Sequence, residues 1–345
     1  MKSNLLTKTA LILIILVLFF GGIYYAAPFF KPLAVAFLIA LLVLPVARKA
    51  ERFGASRLWG SIAAMTVATL FLAIIFGLFA YQANKMSDNS DQLEEKGRQK
   101  IEELKSGILQ RTGITPKQLD ATFEKIGHSK IQSTAKNIAS GILSSITDLF
   151  LTFVYAYLFL YYRSHLKRFI LKLVSNDNRT KARDLMEDSA DVALQYLAGK
   201  FMLIGMLAVI YAIGLTLLGV KYGIFYGVLA ALLSLIPFIG NMIGAMFPII
   251  MAVVYNDTTT ALGVIILFGV AQFIESYLLQ PLVVGKKVNI NPMMTILIAV
   301  LGGMLWGVPG MIVAIPYLGI IAIIFSRIEE LKPIGFLLSN EEEED

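Results

Sequence analysis

Long hydrophobic stretches without charge alternate with polar segments from the start of this chain. The first stretch, Thr9–Ala27, has no small-residue cleavage site followed by soluble sequence, so we expect a retained span and no removed signal peptide. Two more apolar stretches, Pro32–Ala47 and Trp59–Tyr81, are separated by an arginine-rich segment. Because a helix needs about 20 apolar residues to cross a bilayer, residues 1–81 are predicted to form three transmembrane helices.

The pattern changes between residues 82 and 140, where polar and charged residues dominate. Within Asp88–Arg111, apolar residues recur at near-helical spacing, which predicts an amphipathic helix. Residues 82–140 are therefore expected to form a small helical insertion. Its pattern favours a solvated helical loop over a sensor or partner-binding role.

Residues 141–220 are predicted to hold two more membrane helices around a basic segment. One of these helices ends near Tyr162, and the other covers Phe201–Gly219. Between them, residues 163–200 are rich in arginine and lysine, and their later half carries an apolar stripe. This pattern is typical of an amphipathic helix that lies along a membrane surface.

The segment 221–326 differs from the rest because its two longest apolar stretches are interrupted by proline and glycine. Tyr222–Tyr255 is interrupted at Pro237, and the stretch over residues 291–325 is interrupted at Pro309. Each stretch exceeds 30 residues, which is too long for one ordinary span and long enough for a broken helical hairpin.

Positive charges in membrane proteins concentrate in cytoplasmic loops, and this rule gives an orientation. With the amino terminus inside, the 82–140 insertion lies outside, and the 163–200 segment and the acidic tail, 327–345, lie inside. This holds if both interrupted stretches return to the side from which they start. The sequence thus predicts an all-α polytopic membrane protein with about six transmembrane helices, the sixth over Thr258–Val284, plus two re-entrant helical hairpins and a small extracytoplasmic insertion.

Composition agrees with this class and excludes others. Of the 345 residues, 57% are hydrophobic and 16% are charged, and the mean hydropathy is +0.73, so a soluble globule could not cover this chain with polar surface. The net charge of +6 is too thinly spread for a nucleic-acid partner. Cysteine is absent and histidine occurs twice, which excludes thiolate sites and disfavours a metal centre. No P-loop or common hydrolase motif is present, so we expect no cofactor and no enzymatic activity.

One acidic residue, Glu275, lies well inside the hydrophobic last third of the chain. Gln272 and Ser276 share its helical face, Gln280 follows it, and Asn241 lies just after the first interruption. An ionisable group at membrane depth is costly and is a functional hypothesis by default. A carboxylate among amides can bind a cation, take up a proton, or accept hydrogen bonds from a polyhydroxylated solute. The alternative is a structural hydrogen bond that locks neighbouring helices.

The two interruptions are the second signal of function. Pro237 with Gly240, and Pro309 with Gly310, are expected to be hinges where helical hydrogen bonds are lost. Backbone groups freed in this way can coordinate a substrate or ion near the membrane midplane in secondary transporters. The predicted transport site therefore lies between Pro237, Glu275 and Pro309.

Several short motifs in this region together resemble the carboxy-terminal signature of the autoinducer-2 exporter family. They are Ile236-Pro237-Phe238-Ile239-Gly240, Ile274-Glu275, Leu279-Gln280-Pro281-Leu282-Val283-Val284-Gly285-Lys286, Asn291-Pro292, Gly302-Gly303 and Trp306-Gly307-Val308-Pro309-Gly310. The layout of the entire chain agrees. The resemblance implies a bacterial inner-membrane transporter that assembles as a homo-oligomer, with a ring of five as one form. It also implies either export of the signal autoinducer-2 or Na⁺(Li⁺)/H⁺ antiport.

We therefore expect a multi-pass secondary transporter of the bacterial plasma membrane, with the lipid bilayer as its surroundings. It would export a small polar solute, similar to autoinducer-2, by alternating access, with H⁺ or Na⁺ as the coupling ion. One alternative is a Na⁺(Li⁺)/H⁺ antiporter. The alternative from another class is a membrane scaffold that transports nothing and binds a partner through the outer insertion.

Overall fold

The computed structural model describes residues 2–87, 95–100, 102–103, 106, 128–283 and 290–340, and these residues are almost entirely helical. No β-strand occurs within these ranges, where one isolated bridge pairs Ile290 with Ser339. In chain order the α-helices are α1 (Lys2–Tyr25), α2 (Ala27–Arg52), α3 (Arg57–Ser87), α4 (His128–Leu173), α5 (Arg179–Leu217), α6 (Gly223–Leu233), α7 (Gly240–Tyr255), α8 (Thr258–Ile274), α9 (Gln280–Val283), α10 (Pro292–Trp306), α11 (Val308–Arg327) and α12 (Lys332–Leu338). A π-helical turn, Glu275–Leu279, joins α8 to α9.

Six helical segments of the described chain are long and apolar enough to cross a membrane, which confirms the predicted all-α polytopic class. They are Thr7–Tyr25, Ala27–Arg52, Arg57–Gln82, Asn176–Leu217, Thr258–Val283 and Val308–Arg327. The predicted fourth span, ending near Tyr162, falls within α4, where only residues 147–173 have described side chains, so this span stays a prediction. One assignment differs from the sequence prediction. The sixth is α11, whose 20 residues are enough to span a bilayer by themselves.

The second span is longer than its prolines suggested. The sequence placed its start at Pro32, but α2 runs without interruption from Ala27 to Arg52 and contains Pro32 and Pro45 in its interior. A proline inside a helix removes one hydrogen bond. Membrane helices tolerate this loss because neighbouring groups and local adjustments satisfy the freed carbonyl.

The chain divides into two compact units. The first comprises Met1–Ala68, Asp148–Phe201 and Pro281–Asp345. Within it, α10 and α11 form a helical hairpin in which α11 packs against α2. The Trp306 indole donates to the Ile23 carbonyl over 3.3 Å, and the Tyr317 hydroxyl donates to the Ala34 carbonyl over 3.0 Å. Side chains of this hairpin are thereby bonded to the backbone of α1 and α2.

The second unit comprises Thr69–Thr147 and Met202–Gln280. Its described core is one hydrophobic cluster to which α5, α6, α7 and α8 contribute. Glycines allow the close packing: a Cβ added at Gly227 would lie 2.5 Å from the Ala212 nitrogen, and one at Gly244 would lie 2.8 Å from Ala230 Cα. Helices α6 and α7 therefore form a tight hairpin that packs on α5 and α8.

Two predicted segments lie partly outside the described residues. Of the amphipathic helix predicted over Asp88–Arg111, residues 95–100, 102–103 and 106 are described, and they are helical. The acidic residues at positions 341–345 of the predicted tail are not among the described residues.

Candidate functional site

Glu275 occupies an unusual turn of backbone in the second unit. Helix α8 ends at Ile274, and the π-helical turn begins at Glu275, whose carbonyl accepts the Gln280 N–H in an i to i+5 bond. Pro281 follows directly; it lacks an N–H, and its ring would crowd the Tyr277 carbonyl in a regular helix, which favours the wider turn. Such single π turns are frequent at functional sites. The Glu275 side chain is 5% exposed, so this carboxylate is buried.

Asn241, in the first turn of α7, links this carboxylate to the hairpin. Its Nδ2 donates to Gln272 Oε1 over 2.6 Å and to Glu275 Oε2 over 2.8 Å. Gln272 Nε2 in turn lies 3.2 Å from Ser276 Oγ, to which it donates. These four side chains form one hydrogen-bonded group, which we call the Asn241–Glu275 cluster.

The turn between α6 and α7 positions Asn241. Pro237 is half-buried in this turn, and the next residue, Phe238, has φ +66°, a conformation that costs energy for a bulky residue. Gly240 then packs so closely on the end of α6 that an added Cβ would lie 1.9 Å from the Leu233 carbonyl oxygen. Glycine is therefore required directly before Asn241.

The Glu275 carboxylate is the one ionisable group among the four side chains of the cluster. Because α7 begins at Gly240, the positive end of its dipole lies beside the Glu275 carboxylate. Asn241 Oδ1 is buried and has no donor among the described residues. No group of three or more His, Cys, Asp or Glu side chains that could hold a metal occurs in the described part of the chain. The cluster thus offers one carboxylate and several neutral oxygens, which can hold a proton, a monovalent cation or solute hydroxyls.

Tyr211 on α5 is a polar neighbour that the sequence did not single out. Its side chain is fully buried, and its ring stacks on Phe268 with centroids 4.3 Å apart. Its hydroxyl has no hydrogen-bond partner among the described residues and interacts electrostatically with Glu275. A single tyrosine in an apolar span gives no sequence signal, because its meaning depends on which residue it faces.

The remaining predicted site residues lie apart from this cluster. The Gln280 side chain is exposed, and its described contact with Glu275 is through the backbone. Pro309 and Gly310 belong to the first unit, where Gly310 is buried in the α10–α11 hairpin. The predicted interruption of the 291–325 stretch lies at Gly307, between α10 and α11, two residues before Pro309. Pro309 lies in the first turn of α11, where an N–H would lack a helical partner anyway, and Gly307 with φ +66° makes the turn.

Comparisons with known proteins give the family. Residues 13–330 match the family model described as AI-2E family transporter. The AI-2 transport protein TqsA of Escherichia coli (strain K12) is 22% identical over 337 residues, which cover 96% of each chain. The Putative transport protein YhhT of the same strain is 23% identical over 91% of this chain and 87% of its own.

A third relative is more similar over a shorter region. The Putative transport protein YueF of Bacillus subtilis (strain 168) is 26% identical over 210 residues, which are 59% of this chain and 57% of YueF. The family match covers the signature motifs around Pro237, Glu275 and Pro309 that the sequence presented. This chain, a multi-pass membrane protein by its helices, belongs to the AI-2E family of transporters.

Proposed function

We propose that this protein is a secondary transporter that exports a small polar solute by alternating access, with the Asn241–Glu275 cluster as its transport site. The observation that carries the proposal is the buried Glu275 carboxylate at a π turn, bonded to the first turn of a helix that follows a break. Broken helices with polar groups at the break are the usual form of transporter sites.

The chemistry of the cluster favours a solute rich in hydroxyl groups. A carboxylate, two amides and the Ser276 hydroxyl can exchange their mutual hydrogen bonds for bonds to such a solute at little net cost. The relative TqsA is named for AI-2 transport, and a polyhydroxylated signal of the autoinducer-2 kind fits this set of groups. Quorum sensing would then be the process that the protein serves.

Coupling to H⁺ or Na⁺ is part of the proposal. A buried carboxylate must be protonated, paired with a cation, or held by donors. If the site opens first to one side of the membrane and then to the other, Glu275 would therefore carry a bound ion across with it. If the ions are themselves the cargo, the same cluster makes the protein a Na⁺(Li⁺)/H⁺ antiporter, which is the second candidate.

Helix lengths support the proposed membrane arrangement. Helix α6 has 11 residues and α7 has 16, so each is shorter than the roughly 20 residues of a span. We infer that the α6–α7 hairpin is re-entrant, that the 82–140 insertion is extracytoplasmic, and that the membrane is the bacterial inner membrane. Assembly as a homo-oligomer, in the form of a ring of five, also remains part of the proposal.

Flux into proteoliposomes tests this function. Purified protein should drive uptake or release of at least one polar metabolite in a panel, and the rate should depend on an imposed pH or Na⁺ gradient. A Na⁺-dependent change of internal pH without solute flux would favour the antiporter. Absence of any flux, from protein that is folded and correctly inserted, would contradict both and favour a scaffold that binds a partner.

A further inference from the structure

The turn between α2 and α3, in the first unit, has a fixed backbone. The Ala55 N–H donates to the Ala50 carbonyl over 3.2 Å, and the Gly54 N–H donates to the Glu51 carbonyl over 3.0 Å. With Gly54 at φ +94°, this is the Schellman arrangement that ends many helices. The Gly60 N–H bonds the Ser56 carbonyl over 2.8 Å and starts α3 at once. The backbone positions from which the side chains of this turn extend are therefore fixed.

Four cations lie on this turn and extend into solvent: Arg48, Lys49, Arg52 and Arg57. Arg52 follows Arg48 and Lys49 at four and three positions, so like charges face each other on one side of α2, which is unfavourable without an anion. The one acidic residue of the turn, Glu51, is already paired with Arg163 of α4. None of the four cations has a salt bridge among the described side chains. One described carboxylate, that of Glu187, interacts electrostatically with Arg48 and is itself paired with Lys167.

Exposed aromatic residues accompany these charges. Phe53 is 82% exposed and Trp59 is 64% exposed, on either side of Gly54. Tryptophan beside arginine or lysine is the side-chain pattern of the level where lipid headgroups lie. Clusters of cations directly at the end of a membrane helix attract anionic lipids.

We propose that the α2–α3 turn binds the headgroup of an anionic phospholipid, with Arg48, Lys49, Arg52 and Arg57 around the phosphate and Trp59 beside the upper acyl chain. Charge complementarity selects this occupant, because a zwitterionic headgroup would not relieve the repulsion between cations on α2. The bound lipid would fix the membrane depth of α2 and α3. This site is separate from the Asn241–Glu275 cluster and does not depend on the identity of the transported solute.

The chain supplies its own reporter, because Trp59 and Trp306 are its only tryptophans. In Trp306→Phe, fluorescence comes from Trp59 alone; in Trp59→Phe, it comes from Trp306, which contacts α1 at the opposite end of α2. The purified variants are placed in bilayers of brominated phosphatidylglycerol or brominated phosphatidylcholine mixed with unbrominated lipid. Quenching then gives the relative binding of each lipid beside each tryptophan.

We expect phosphatidylglycerol to bind beside Trp59 about fivefold or more tightly than phosphatidylcholine, since one cation near an anionic surface contributes roughly that factor. The preference should fall as salt rises. Beside Trp306 the ratio should stay near one. An equal ratio at the two tryptophans, or a preference at Trp59 that ignores salt, would overturn the proposal.

Two charge variants in the Trp306→Phe background locate the preference. The preference should vanish when all four turn cations are replaced by glutamine, in R48Q/K49Q/R52Q/R57Q. A matched control, R168Q/K172Q/K181Q/R183Q, removes the same number of charges from exposed positions on α4 and α5. This control should keep the preference for phosphatidylglycerol. If only the control variant lost the preference beside Trp59, the location of the site at the α2–α3 turn would be contradicted. If inorganic phosphate abolishes the preference at millimolar concentration, the turn binds free phosphate, and the lipid assignment is wrong.

Discussion

Gly240→Ala tests whether the α6–α7 turn positions the proposed transport site. The added Cβ would lie 1.9 Å from the Leu233 carbonyl oxygen and 2.6 Å from its carbon, where ordinary contact needs more than 3 Å. Both atoms belong to the backbone, so relief requires the start of α7 to move by about 1 Å or more away from α6. Overpacking of this kind costs about 1–3 kcal/mol.

The same displacement acts on the neighbouring residue. Asn241 bonds its partners over 2.6 and 2.8 Å, and a shift of about 1 Å lengthens both bonds past the limit of a hydrogen bond. Loss of an interhelical bond in a membrane protein costs about 0.6 kcal/mol on average and up to about 1.7 kcal/mol. We therefore expect Gly240→Ala to lower the free energy of unfolding by about 2–4 kcal/mol and to abolish flux.

Gly269→Ala is the matched control within the same unit. A Cβ at Gly269 meets nothing within 4 Å, and alanine is the better helix former by about 1 kcal/mol. Chemical unfolding in detergent micelles should show this variant to be at least as stable as the parent protein. If Gly240→Ala were no less stable than Gly269→Ala, the reasoning about the turn would be refuted.

Two further predictions concern topology and the start of α8. The chain has no cysteine, so single cysteines can report topology. A cysteine that replaces Asn256 should react with an impermeant thiol reagent added from outside, and one that replaces Arg327 should not. Labelling at position 256 only from inside would contradict the re-entrant α6–α7 hairpin. Asp257 caps α8, and the Thr260 amide lowers the pKa of this carboxyl below its usual value of 3.8. The ionised carboxylate stabilises the folded protein in full at pH values above 3.8, and this stabilisation is lost as the pH falls through the lowered pKa. Asp257→Asn keeps a capping oxygen but has no carboxyl to titrate. Its free energy of unfolding should therefore fall less between pH 5 and pH 2 than that of the parent protein. An equal fall in the two proteins would contradict this prediction.

Three polar residues selected from the sequence are in contact in the structure, whereas several helix ends differ from their predicted positions. Asn241, Gln272 and Glu275 were selected because polar groups at membrane depth are costly, and the structure brings these three together although α7 and α8 are separate helices. Pro237 indicated the turn between α6 and α7 because few membrane helices continue through a run of proline and glycine. These inferences used local rules that hold before any tertiary contact forms.

Other features depend on tertiary contacts and were not predictable. Pro32 and Pro309 look alike in sequence, yet one lies inside α2 and the other in the first turn of α11. Which role a proline takes is decided by whether neighbouring helices satisfy the freed carbonyl. Tyr211 and the π turn at Glu275 also escaped prediction, since a buried hydroxyl is informative only when the residue beside it is known.

Glu275→Gln, measured in proteoliposomes, tests the central claim most directly. The variant keeps an acceptor oxygen for the Asn241 amide and removes the titratable charge, so the fold should be retained. If Glu275 couples solute movement to an ion gradient, this variant should lose gradient-driven accumulation, while solute exchange without a gradient continues. Full gradient-driven accumulation by Glu275→Gln would contradict the coupling role and leave the carboxylate as a structural link between α7 and α8.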